Sequence, residues 1–265
     1  MAVRRTVRSV TLAFGALALA VSGCGPPPAT STPLSKASQL DFTGVWIAVG
    51  TFENPAGPPP WSNTLWPAEP SFTPWGEAES RRLSAIRNVV PCQPGGPIFA
   101  MWEMGLFPIE ILEAPDRIVL KPENSALPRR IFIDGRGHPE DLEPSWMGHS
   151  IGSWDGDVLV VDTVGTNGKT RAMNGVGSNA GVSSEDGRPR LPVSDQLHLV
   201  ERFRIVADSE ILEDEMTIND PKAYTSPFTV KHYWQRRPDI DPIEYYCEES
   251  PRPDDEANLP GGARR

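Results

Sequence analysis

Gly148-His149-Ser150-Ile151-Gly152 sets an imidazole and a hydroxyl between two glycines, in a chain with only four histidines. Imidazole exchanges protons near neutral pH. Flanking glycines allow unusual φ/ψ angles and close approach of a ligand. His138 lies upstream, and Asp134, Asp162 and Glu201 supply carboxylates. Together these residue types suit proton transfer, with His149 and either Glu201 or Asp162 as the pair that exchanges protons with a substrate. Two His and a carboxylate would also suit a metal, but the spacing of His138 and His149 fits no helical ligand pattern, and no metal is assigned. The plainer alternative is a glycine-bounded turn in which His149 caps backbone carbonyls. Ser150 lacks the Gly-x-Ser-x-Gly elbow of a serine hydrolase. Without a Gly-x-Gly-x-x-Gly, a P-loop or a Cys-x-x-Cys, no nucleotide cofactor or haem is expected.

Strands must position these groups, and alternation shows which residues share a face. In Leu197–Val206, Glu201 shares a face with Leu197, Leu199, Phe203 and Ile205. His198 falls on the other face with Val200, Arg202, Arg204 and Val206. Asp162 lies with Val158, Val160 and Val164, and His232 with Phe228, Val230 and Trp234. Ionisable groups on apolar faces need partners or a wet cavity. The first option is a structural ion pair, for instance Glu201 with Arg129 or Arg130. The second is a polar-lined pocket, with His138, Asp134, Arg136, Trp146, Trp154 and His232 as ligand-binding candidates. Trp61, Trp66, Trp75 and Trp102 also sit in loop-like contexts, where aromatics stack on rings or simply pack.

The chain reads as short strands punctuated by 29 prolines and 23 glycines. Phe42–Thr51, Phe107–Leu112, Arg117–Lys121, Arg129–Asp134, Gln196–Val206, Glu210–Asn219, Phe228–Arg236 and Ile243–Glu248 are β-branched or aromatic. Ser153–Val164 is a hairpin turning at Asp155-Gly156. Thr73–Asn88 is the one helical stretch, a short surface helix opening at Thr73-Pro74. Gly165–Pro192 is too long for a simple turn and reads as a flap or functional loop. Many strands with little helix predict a mainly β fold: an antiparallel lipocalin-like barrel, with a β-sandwich as the alternative.

The N-terminus carries Arg4, Arg5 and Arg8, then the apolar run Val10–Val21, then Val21-Ser22-Gly23-Cys24. A basic start, a short apolar run and a small-residue cleavage site mark an export signal. The run is too short for a membrane span, which takes about 20 residues. Small residues before Cys24 resemble the bacterial lipobox, which implies lipidation of Cys24 and anchoring to a membrane. Gly25 favours the outer membrane, facing the periplasm. The expected organisation is a signal peptide over 1–23, an acylated Cys and tether over 24–40, one β domain over 41–251 and a frayed tail over 252–265. A net charge of −10 argues against a nucleic-acid partner. With Cys24 lipidated, Cys92 and Cys247 remain as an even pair, which in an oxidising compartment reads as a disulfide.

The segment Asp134-Gly135-Arg136-Gly137-His138-Pro139, followed by Trp146 through Gly165, resembles a large family of secreted bacterial proteins of unknown function. The likeness continues through Val200–Arg204, Thr217–Tyr224 and Glu244–Glu249. It implies a shape more than a reaction. Members often carry His where this chain has Val193, so any chemistry resting on that His would be altered here. The expected function is a lipid-anchored envelope protein that binds a small apolar or aromatic molecule in its barrel. The alternatives are a cofactor-free lyase, isomerase or hydrolase, and a purely structural envelope protein.

Overall fold

β-branched and aromatic residues alternating with polar ones give nine strands among the described residues. They are β1 (Gly44–Ala48), β2 (Ile109–Ala114), β3 (Arg117–Pro122), β4 (Arg129–Phe132), β5 (His149–Asp155), β6 (Val158–Val164), β7 (His198–Ile205), β8 (Ile211–Asn219) and β9 (Phe228–Arg236). The computed structural model describes residues 41–49, 71–85, 94–102, 107–123, 125, 127–169, 191–206 and 210–245. Each strand pairs with the next, and β9 returns to β1 through Trp46↔Arg236, Ile47↔Gln235 and Ala48↔Trp234. The sheet is therefore a closed barrel, and the sandwich alternative falls. Closure leaves no edge strand to protect.

The expected antiparallel order has one exception. β4 and β5 run parallel, through Ile131↔Ser150 and Phe132↔Ile151. Parallel neighbours need a crossover of about a dozen residues or more rather than a tight turn, and residues 133–148 supply it. The next connection is the tight turn read in the sequence, with Gly156 at φ 65° between β5 and β6.

Inward positions form the core. Trp46, Ile131, Val161, Leu199, Met216 and Val230 are all fully buried. The helix α1 (Pro74–Ala85) matches the expected surface helix. Thr73 caps it, its Oγ1 accepting from the Gly76 amide at 3.0 Å. The expectation of a single helix needs correction, because α2 (Gly96–Trp102) is a second. Its Ile98, Ala100 and Met101 are buried, and the Met101 carbonyl faces the inward side chain of His232 at 3.4 Å. An apolar helix has no polar stripe to betray a 3.6-residue period. The strand expected over Ile243–Glu248 is absent from 243–245, which carry no regular structure. Pro242 precedes them, and the Ile243 amide donates to Glu123 Oε2 rather than to a ladder.

Residues 1–40, 170–190 and 246–265 lie outside the described residues, as do Trp61, Trp66 and Cys92. The signal, Cys24, the Cys92–Cys247 pairing and most of the expected flap therefore fall there. Among the described residues no helix is long and apolar enough to cross a membrane.

Candidate functional site

Two of the four histidines meet one carboxylate, and a third joins them through His138. The outer faces of β5, β6 and β7 present His149, Asp162 and His198. Asp162 is paired with Ile151 on one side and Val200 on the other, so His149 and His198 are its diagonal neighbours. The β4–β5 crossover then lays His138 over them. His198 Nε2 lies 2.8 Å from Asp162 Oδ2, and His138 Nε2 lies 2.9 Å from Asp162 Oδ1. His138 Nδ1 lies 2.8 Å from His149 Nδ1. The chain of contacts is His198–Asp162–His138–His149, and its members are all partly exposed.

Local sequence explains the entry to this arrangement. Gly148 sits at φ +66°, and a Cβ there would meet the Val164 carbonyl at 2.6 Å. Only glycine lets the crossover turn into β5 so tightly against β6. The His149 ring then stacks on Phe132 at 5.2 Å and 25°. Phe132 also carries the Arg136 guanidinium at 4.0 Å and that of Arg117 at 5.2 Å. Arg136 in turn donates to Asp134 from Nε at 2.8 Å. Asp134 is drawn down to about 2, mainly by that hydrogen bond.

Protonation follows from the contacts. Burial pushes the Asp162 carboxyl up, but hydrogen bonds from His198 and His138, with their charges, outweigh it and hold Asp162 below its ordinary value. Asp162 is therefore an ionised acceptor, and both histidines facing it donate from Nε2. With Nε2 of His138 donating to Asp162, its Nδ1 is free to accept Nδ1–H of His149. That leaves the lone pair of His149 on Nε2. Desolvation first, then the charges of His138 and Arg136, lower His149 from 6.5, which keeps it neutral and basic at pH 7. Among the described residues nothing hydrogen-bonds this Nε2.

No family model matches the chain, and no curated protein matches it. The chemistry therefore has to come from the geometry. A proton taken at His149 Nε2 can move the Nδ1 proton on to His138, where the positive charge faces Asp162. The arrangement is an imidazole base backed by a second imidazole and a carboxylate. Among the described residues no group of three or more His, Cys, Asp or Glu is placed to hold a metal ion.

Glu201, which the sequence grouped with His149, stands on the opposite side of the sheet. It is fully buried inside the barrel and paired with Arg129. Arg129 Nη1 donates to Glu201 Oε1 at 2.7 Å, Nη2 donates to Glu201 Oε2 and to Thr163 Oγ1, the latter at 2.8 Å, and Nε donates to Ser150 Oγ at 3.2 Å. The ion-pair reading of Glu201 is the one the structure supports. His232 also points inward, buried and remote from His149. Trp154 stacks on Phe42 at 5.3 Å, with its ring toward the core, and Trp146 is half-buried in the crossover. Val193 is buried in the core cluster, so a histidine there would not reach the relay without repacking.

Sequence reading missed His198, Phe132 and Asp214. The signal for His198 was present, since it lies two residues from Val200, on the face that Asp162 shares. Asp214 shares the inner face with Leu212 and Met216, and is fully buried. Burial, then the charge of Glu201, pushes its carboxyl well above the ordinary range against the pull of Arg129, with Glu213 and Glu215 adding to the push.

The two interior groups oppose each other in stability. Burial lowers His232 from 6.5 to about 4. The unfolded chain thus takes a proton that the folded one refuses, and stability falls as pH drops through that window. Asp214 does the reverse: the folded state keeps a proton that the unfolded chain sheds above 3.8, and stability falls as pH rises. In the parent these two contributions therefore offset each other. Asp214→Asn removes the opposing slope, so its stability in urea should climb with pH from 4 to 6.5 more steeply than the parent's, with about 3 kcal/mol of that climb from His232. A variant with the parent's slope would refute this assignment.

Proposed function

We propose that this chain is a cofactor-free hydrolase of the cell envelope in which His149 Nε2 is the general base. The observation that carries the reading is the relay from Asp162 through His138, which fixes the His149 lone pair on an outward nitrogen. A partly exposed base has water as its nearest substrate. Nε2 takes a proton as water attacks an acyl carbon, the Nδ1 proton passes to His138, and the reverse transfer protonates the leaving group. Phe132 and Arg136 border the base and offer an aromatic wall and a cation to the rest of the substrate. The address rests on Met1–Cys24: export, acylation of Cys24 and retention at the outer membrane. Membership of the secreted family that Asp134–Pro139 and Trp146–Gly165 resemble is part of the same proposal.

4-Nitrophenyl acetate serves as the acyl probe. Its hydrolysis should rise with pH along a one-proton limb centred below 6.5, the ordinary imidazole value, then stay level. A profile without that limb, or one unchanged in His149→Gln, overturns the reading.

A further inference from the structure

A row of inward residues crosses β5 to β9 next to the Arg129–Glu201 pair. Register joins Trp154 to Leu159, Leu159 to Phe203, Phe203 to Asp214, and Asp214 to His232. Trp234 is the inward residue two positions beyond His232, opposite Leu212. It is therefore a diagonal neighbour of Asp214, within reach of a long side chain. In this row three side chains carry polar atoms that meet no hydrogen-bond partner among the described residues. These are both carboxyl oxygens of Asp214 and the indole nitrogens of Trp154 and Trp234, all buried. Asp214 itself is 0% exposed. Orphaned buried groups of this kind are rare in folded proteins and costly to leave unmade. They therefore point to a complement.

We propose that the barrel interior holds a second site, in which the Asp214 carboxyl and the indole N–H groups of Trp154 and Trp234 receive a small uncharged ring with a cis O=C–N–H edge, such as a lactam or pyridone. Charge selects the class. A cation would face the Arg129 guanidinium and two inward N–H donors. An anion would face Glu201, and Asp214 beside it. A neutral ring meets neither penalty. A carboxyl group pairs with a cis-amide edge through two antiparallel hydrogen bonds, giving its O–H to the carbonyl and accepting the ring N–H. A carbonyl lone pair left over suits an indole N–H. Phe203, Leu212 and Met216 supply the apolar wall that a flat ring needs. The site shares no residue with the outer relay and does not depend on the hydrolase reading.

Calorimetric titration of the full-length chain with 2-pyridone tests the proposal. Binding should saturate at one site per chain. N-methyl-2-pyridone, which lacks the N–H, should bind about tenfold more weakly or worse, since a polar site left unpaired rejects its analogue strongly. Asp214→Leu should lose binding by a similar factor. Asp214→Asn should keep it, because a carboxamide presents the same donor–acceptor edge. His149→Gln should bind as the parent does, which separates this site from the outer one. No saturable binding would mean that water alone completes these groups, and the proposal fails. Equal binding of the two pyridones also overturns it, and that comparison stands even if Asp214→Leu does not fold.

Discussion

Arg129→Met should destabilise the folded barrel by about 3–5 kcal/mol. Arg129 and Glu201 are both 0% exposed, so the substitution leaves a carboxylate with neither counter-charge nor water. Ser150 and Thr163 lose a donor as well, although their hydroxyls still reach each other at 2.8 Å. The loss is a large share of the roughly 5–15 kcal/mol that holds a typical domain folded. The pair itself should contribute far less than this figure. Desolvating both ions offsets most of their attraction, so Arg129→Met combined with Glu201→Leu should return to near the parent's stability. Urea denaturation of the parent, the single and the double variants measures the difference. A single variant within about 1 kcal/mol of the parent would show that water reaches Glu201 or that the charge is compensated elsewhere.

This pair also shows where sequence reading stops. Alternation placed Glu201 among Leu199, Phe203 and Ile205, and that grouping is the barrel's inner wall. It placed Asp162 among Val158, Val160 and Val164, and that grouping is also right, but it is the outer wall. Both faces of β6 are apolar, since Leu159, Val161 and Thr163 face the core while half-buried valines face outward. Composition alone cannot tell the two sides apart. His198 was hidden for the opposite reason: Arg202 and Arg204 share its face and make it read as plain solvent surface. The Asp155-Gly156 turn was legible because its chemistry is local. The parallel β4–β5 junction was not, because two registered pairs far apart in sequence decide it. That junction matters most for the site. An antiparallel hairpin after β4 would need only a few residues, and it is the long return path that carries His138 over Asp162.

Asp162→Asn should lower acyl-probe hydrolysis by about 10³–10⁴-fold while leaving the fold intact. Asparagine can turn its NH₂ toward His138. His138 must then accept at Nε2 and carry its proton on Nδ1, which forces His149 Nδ1 to become the acceptor. The proton of His149 moves to Nε2, and the outward lone pair disappears. The base is removed without being touched. His149→Gln removes it outright and should cost about 10²–10⁴-fold. His198→Gln leaves the path through His138 in place, so its loss should be smaller than either. Stability separates this account from a structural one. Asp162 is 37% exposed, and contacts that accessible contribute about 0–1 kcal/mol each. A fall in rate of several powers of ten with an unchanged urea midpoint is then a tautomer effect, not a folding effect. Nitrogen chemical shifts of the His149 ring give the direct reading, with the proton on Nδ1 in the parent and on Nε2 in Asp162→Asn. If the ring shows the same tautomer in both, or the variant keeps the parent's rate, Asp162 is only a surface anchor for three histidines and the relay does no chemistry.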